Sequence, residues 1–377
     1  MVLFGRGGQG REGEYSSRLI GLPSPPRLPR AERRRRRASN QPAKGVARIG
    51  STRAFWLRFA AGLAIGLLCL VLAARSVDLA EVLTRLQATD PALTVLGVGA
   101  VVLTTVAKAW RWAALAGLSG RAGWGLFPAV VVGQMINTLV PARLGDLARL
   151  VLGDSATGRG KAFLLGTIVL EKLIDGLCVL AVALLVLPFL QLPDWLVARG
   201  LDLGLGVVAL GMGIGGLVLL SDRVLALVAG LLGRLPLPVG WQRWLTHATA
   251  EAVRGLGALA SWSQRGRVAW WSFLAWASSI ATTWLVLRAV GLEVDVGPAI
   301  LVTITTQVGG SVPMAPGRVG VFHSLVMAPL LVLGIGTATA LTAAVVLHLV
   351  VFGPQLVLGI LFLWRESVTL RHFPRLS

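Results

Sequence analysis

The sequence predicts an all-α fold, a polytopic membrane helix bundle of about six full spans plus two broken or re-entrant helical hairpins in inverted arrangement. Three observations lead there. Hydrophobic residues make up 55% of the 377 and charged residues 14%, with a mean hydropathy of +0.75, more apolar surface than a water-soluble domain of this size buries. Apolar runs recur along the whole chain with polar connectors between them, as lipid-crossing helices require. Two of those runs are interrupted by one shared pattern, Pro-x-Arg-x-Gly.

Residues 1–54 are rich in Gly, Pro, Ser and Arg, including Arg33 to Arg37. A segment of that composition cannot bury enough apolar surface to fold, so it is expected to be a disordered, basic cytoplasmic tail. The net charge of +19 raises the prospect of nucleic acid, whose phosphates basic patches neutralise. Its distribution argues against that partner: the excess sits in the tail, at helix ends and in alternate loops, a pattern that fits topology signals and anionic headgroup contacts better than base recognition. Cys69 and Cys178 both fall in apolar runs, with no CxxC pair and no metal-ligand spacing. No metal or other cofactor is expected.

The membrane domain is expected over 55–365. Its first run, Phe59 to Ala74, reads as an uncleaved signal anchor. Further apolar stretches follow near 92–110, 124–140, 162–189, 203–220, 268–290, 298–312, 319–335 and 339–363. Lys108, Arg111 and Arg121, then Arg159 and Lys161, mark connectors on the cytoplasmic side, whereas Asp194 and Asp202, and later Glu293 and Asp295, mark outer ones. Residues 221–267 carry Arg223, Arg234, Arg243, Arg254, Arg265 and Arg267 against Asp222 and Glu251, and read as a cytoplasmic amphipathic loop whose Trp241, Trp244 and Trp262 rest on the membrane surface. Residues 366–377 form a second basic cytoplasmic tail. The result is a multi-pass protein of the cell (inner) membrane with both termini in the cytoplasm. Trp56, Trp110, Trp112, Trp124, Trp195, Trp270, Trp271 and Trp364 fall near the interfaces this scheme predicts.

The first broken segment contains Asn137, Pro141, Arg143, Gly145, Asp146 and Arg149, and the second Pro313, Pro316, Gly317, Arg318, Gly320 and His323. Proline ends a helix by removing an N–H and crowding the preceding turn, and glycine permits the bend. Bare backbone of this kind survives at depth only where protein or a watery cavity covers it. By the loop charges the first hairpin enters from the cytoplasm and the second from outside, and interrupted helices at corresponding places in two halves point to a transporter site. A helix resuming after Pro141 or Pro316 aims its free N–H groups and positive dipole end at the break, with Arg143 and Arg318 expected in that first turn. Two such termini and two guanidiniums suit a phosphate or other anionic headgroup. The alternative for each arginine is a pair with a neighbouring acid, Asp146 for the first segment, or snorkelling to an interface.

Glu171 and Asp175 lie one turn apart, part-way along 162–189. Charge near mid-bilayer costs ~2.5–3.5 kcal/mol on insertion scales, so these carboxylates require a partner or a cavity. Arg143 and Arg149 are the candidate partners, and the pair serves either as an ion-pair lock or in ligand contact and proton coupling. His323 and His348 fit helix–helix hydrogen bonds better than a proton relay. Asn137 either caps the break or meets substrate.

These motifs together, Asn137-x-x-x-Pro141-x-Arg143-x-Gly145-Asp146-x-x-Arg149, Glu171-Lys-Leu-Ile-Asp175 and Pro313-x-x-Pro316-Gly317-x-x-Gly320-Val-Phe322, resemble the flippase-like membrane domain of the lysylphosphatidylglycerol synthase family over about 55–365. The resemblance implies a helix bundle that moves or handles membrane lipids, with aminoacylated phospholipids, polyprenyl-phosphate sugars or hopanoid-type lipids as cargo, and a partner enzyme of lipid or glycan synthesis. Two departures stand out. His323 occupies a position where that family often has Glu, and the chain reaches Ser377 without a soluble aminoacyl-transferase domain, so synthesis of lysyl-lipid is not expected. No nucleotide-binding loop or nucleophile–base spacing is present, so the expectation is a non-enzymatic translocator. The alternatives are a membrane-embedded glycosyl or acyl transferase and a non-transporting accessory subunit.

Overall fold

A computed structural model describes residues 79–140, 144–186, 261–310 and 316–372, together with 206, 246 and 249–251. The first 78 residues, all of the 203–220 run but residue 206, most of the 221–267 loop and the last five residues of the C-terminal tail lie outside the described residues, as do Pro141, Arg143 and Pro313.

Every regular element among the described residues is helical. In chain order they are α1 (Leu79–Gln87), α2 (Pro91–Leu115), α3 (Gly120–Trp124), α4 (Phe127–Leu139), α5 (Leu144–Thr157), α6 (Lys161–Val186), α7 (Trp262–Ala289), α8 (Val296–Gly309), a 3-10 turn (Pro316–Arg318), α9 (Val321–Val332) and α10 (Thr337–His372). Among the described residues three stretches are long and apolar enough to cross a membrane: Pro91–Leu115, Gly120–Leu139 and Thr337–Arg365. At 1.5 Å per residue, α6 and α7 reach about 39 and 42 Å, also enough for a core of roughly 30 Å; α6 carries Glu171, Lys172 and Asp175 within its apolar run, and α7 is richer in polar residues. By contrast α8 and α9 reach only about 21 and 18 Å, as expected for the limbs of a broken hairpin.

Local chemistry sets the helix starts. Asp90 accepts hydrogen bonds from the N–H groups of Ala92 (2.7 Å) and Leu93 (3.2 Å), with Pro91 at the first helical position of α2. Ser261 caps α7 by accepting from Gln264 N–H at 3.2 Å, so α7 begins six residues before the apolar run at 268 and takes in Trp262.

Among the described residues the elements pack through a small apolar cluster of Ala114, Leu115, Leu170 and Val268 and two large ones. One joins α7, α8, α9 and α10 through Val286, Val302, Phe322, Leu330 and Leu347; the other joins α2, α4 and α6 through Trp112, Val130, Val131 and Leu164. Where α2 meets α7 the side chains are small, and Thr104 and Ser278 share a hydrogen bond at 2.8 Å, the close polar contact typical of helices packed in lipid. Large apolar side chains such as Val95, Leu185, Phe273 and Leu349 lie exposed on the outside, the lipid-facing surface of a membrane bundle.

Candidate functional site

Four charged side chains from three helices form a buried lattice. Glu171 of α6 sits at its centre: Arg149 Nη2 donates to Glu171 Oε2 at 2.6 Å, and Arg149 Nη1 and Arg111 Nη2 both approach Oε1 at 3.4 Å. One turn further along, Asp175 Oδ1 accepts from Arg111 Nη1 at 2.7 Å. Arg149 also lies 3.9 Å from Asp146 and stacks 4.4 Å above the Trp112 ring, whose Nε1–H donates to Thr167 Oγ1 at 2.9 Å. The predicted pairing of Glu171 with Arg149 is present. Arg111 is the partner that sequence reading missed: it is fully buried and paired inside the bundle, next to the equally buried Trp112. A signal existed, because Arg111 and Lys108 lie inside one uninterrupted helix rather than beyond its end.

The first hairpin closes by backbone contact. Gly133 on α4 faces both Gly145 and Arg149 on α5, and a Cβ on Gly145 would overlap the Gly133 carbonyl oxygen. Asn137 resolves its two alternatives by doing the first and standing beside the second: its Oδ1 accepts from Gly145 N–H at 2.8 Å, its Nδ2 donates to Asp146 Oδ1 at 3.4 Å, and it also lines the cavity below. The side chain thereby serves one of the N–H groups that a helix start leaves bare.

The second break differs from expectation. Gly317, Arg318 and Gly320 have φ values of 69°, 56° and 82°, and α9 resumes only at Val321. Arg318 therefore precedes the helix instead of occupying its first turn, because the left-handed backbone at Gly320 cannot continue a right-handed helix. Among the described residues Arg318 is the one non-glycine residue with positive φ, a strained placement of the kind found at functional sites. Its guanidinium lies 5.6 Å from the Phe352 ring centroid. His323 points elsewhere: its Nδ1 accepts from Gly320 N–H at 3.2 Å and its ring stacks on His348 at 5.0 Å, so it fastens the start of α9.

Both broken segments reach one cavity of about 500 Å³. Asn137, Asp146 and Arg149 line it from the first segment and Gln307, Gly310 and Arg318 from the second, with Glu171 and Asp175 on a third side. Gly145, Gly317 and Gly320 shape the two turns without lining it, and Pro316 opens the second; Pro141 and Arg143 lie outside the described residues. Two further cations contribute, Lys108 and Lys172, and neither has a carboxylate within 4.0 Å among the described residues. Among the described residues no cluster of His, Cys, Asp and Glu could hold a metal.

Comparison with known proteins agrees with this architecture. The chain is 26% identical over 327 residues to a protein named Glycosyltransferase AglD from Haloferax volcanii, an alignment covering 77% of this chain and 51% of the relative. The chain thus spans about half the length of the curated relative it matches. No solved structure matches. The family model described as the lysylphosphatidylglycerol synthase TM region matches residues 59–359, and with four-fifths of its length inside that match the chain is a membrane protein belonging to that family.

Proposed function

We propose that this protein is a lipid translocator that receives an anionic lipid headgroup between its two Pro-x-Arg-x-Gly segments and carries it across the cell membrane while the acyl chains stay in lipid. The observation that carries this reading is a polar cavity walled by both broken segments. Membership of a family related to membrane lipids supports it. Arg318 and Arg143 are the headgroup contacts of this reading, Gly145, Pro316, Gly317 and Gly320 allow the backbone to bend beside the ligand, and the Arg111–Glu171–Arg149–Asp175 lattice holds α2, α5 and α6 together during the movement.

The test is a reconstituted flip assay with labelled phosphatidylglycerol, phosphatidylserine and a polyprenyl-phosphate lipid. Wild-type protein is expected to move at least one anionic lipid, and the Arg143→Gln/Arg318→Gln variant to lose most of that rate. Failure to move any of them, in a protein that is folded and inserted, would overturn the reading. A second reading follows from the name of the Haloferax relative: the membrane domain serves lipid-linked sugar transfer, either directly or beside a transferase. Deletion would then change the total amount of a glycolipid rather than its distribution between leaflets.

A further inference from the structure

The start of α9 hangs on an imidazole. His323 is the third residue of that helix, and its Nδ1 accepts from Gly320 N–H at 3.2 Å. A glutamate or glutamine commonly makes this reach back to the residue before a helix. An imidazole does so only while Nδ1 keeps its lone pair, because a protonated ring has a hydrogen on both nitrogens and accepts nothing. The bond closes a turn with left-handed backbone at Gly317, Arg318 and Gly320, and Arg318 brings the turn's guanidinium to the cavity. One proton-sensitive bond therefore bears on the placement of a cavity cation.

The surroundings supply a second nitrogen. His348 of α10 stacks on His323 with ring centroids 5.0 Å apart and planes 14° apart, and its Nδ1 is buried with no hydrogen-bond partner among the described residues. Phe322 stands nearly perpendicular to both imidazoles, at 6.3 and 5.5 Å, and Phe352 lies 4.8 Å from His348. Both phenylalanines line the cavity, so the pair sits directly behind its wall. The charge nearest the pair is Arg318, 5.6 Å from the Phe352 ring. Of the elements packed around α9 and α10, α4 and α8 carry no titratable side chain, α1 has Glu81 and Arg85 paired with each other, α2 presents Lys108 to the cavity, and the arginines of α7 are exposed. On α10 itself the next charged residue, Arg365, is about 25 Å further along.

We propose that His323 and His348 form a proton site that controls the second broken segment and links translocation to proton uptake. A proton arriving at His323 Nδ1 breaks the bond from Gly320 N–H. The freed ring, now a donor at Nδ1, turns to the waiting lone pair of His348 Nδ1, while the new positive charge repels Arg318 and the turn opens. The closed turn holds fewer protons than the open one, so acid favours opening and alkali closure. The proton site stands on this geometry alone; its link to translocation rests on the headgroup reading above.

The experiment is hydrogen–deuterium exchange of the full chain in detergent, followed in the peptide spanning 316–324 with α2 as internal reference, at about pH 8 and about pH 5, the range in which imidazoles titrate. After correction for the intrinsic rate, wild-type exchange there is expected to rise about tenfold or more in acid relative to α2, as local opening requires. His323→Gln, whose amide oxygen accepts without titrating, should stay slow at both pH values, and His323→Ala should be fast at both. His348→Phe, which keeps a stacking ring but no acceptor, should show a smaller rise. A wild-type peptide indifferent to pH, or a rise that persists in His323→Gln, overturns the proton site, and an undiminished rise in His348→Phe overturns the pairing. If His323→Gln does not fold, NMR of isotopically labelled histidine nitrogens in the wild type decides: a His323 Nδ1 that stays unprotonated while exchange rises overturns the site as well. Reconstituted lipid movement is expected to depend on pH in the wild type and not in His323→Gln, and movement indifferent to pH overturns the coupling. No lipid movement beside pH-dependent exchange overturns the translocator reading and leaves the proton site standing.

Discussion

Glu171 is the residue on which the ionic lattice depends. Its carboxylate answers two buried guanidiniums at once, and removing one partner of a buried pair costs about 3–5 kcal/mol because the remaining charge stays desolvated. Glu171→Ala is therefore expected to lower unfolding stability in detergent by that order, whereas Arg149→Met/Glu171→Leu, which replaces the pair by apolar groups of similar volume, is expected to be far milder. A single variant as mild as the double would show that the pair is not coupled. Arg318 supplies a different test. Left-handed backbone costs an ordinary residue about 1–2 kcal/mol, so Arg318→Gly should be the more stable of Arg318→Gly and Arg318→Ala in thermal unfolding, although both should lose anionic lipid binding. Greater stability of the alanine variant would argue against strain at this position.

At the scale of elements, the first hairpin is held by the approach of α4 and α5 at Gly133 and Gly145, where no side chain fits between the backbones. Gly145→Val should force the helices apart and cost about 1–3 kcal/mol, as overpacking does, with a matching drop in the thermal midpoint. Asn137→Ala removes the side chain that accepts from Gly145 N–H and should cost roughly 1 kcal/mol, the usual loss of a cap. The existence of both hairpins was legible, because proline and glycine interrupt an apolar period. Where each helix resumes was not: α9 starts at Val321 rather than at Pro316, since the φ sign of the turn residues Gly317, Arg318 and Gly320 depends on what packs around them. The start of α7 at Trp262 was missed for the opposite reason, because a Ser261 cap can open a helix before the apolar face begins.

For the whole molecule, alternating loop charge predicts an orientation that can be tested by labelling. In a background with Cys69 and Cys178 replaced by Ser, Glu293→Cys is expected to react with an impermeant thiol reagent on intact cells, and Arg121→Cys only after permeabilisation. Both positions are exposed. The reverse result would invert the topology and, with it, the faces from which the two hairpins enter.

The sequence by itself determined the membrane bundle, the two interrupted segments and the presence of intramembrane charge, because hydropathy, proline and glycine act locally and are written in consecutive residues. Only the tertiary structure decided which charges neutralise one another. Arg111 became part of a lattice and Lys108 a cavity cation, because whether a cation reaches water or a carboxylate depends on the helix packed beside it, not on its neighbours in the chain.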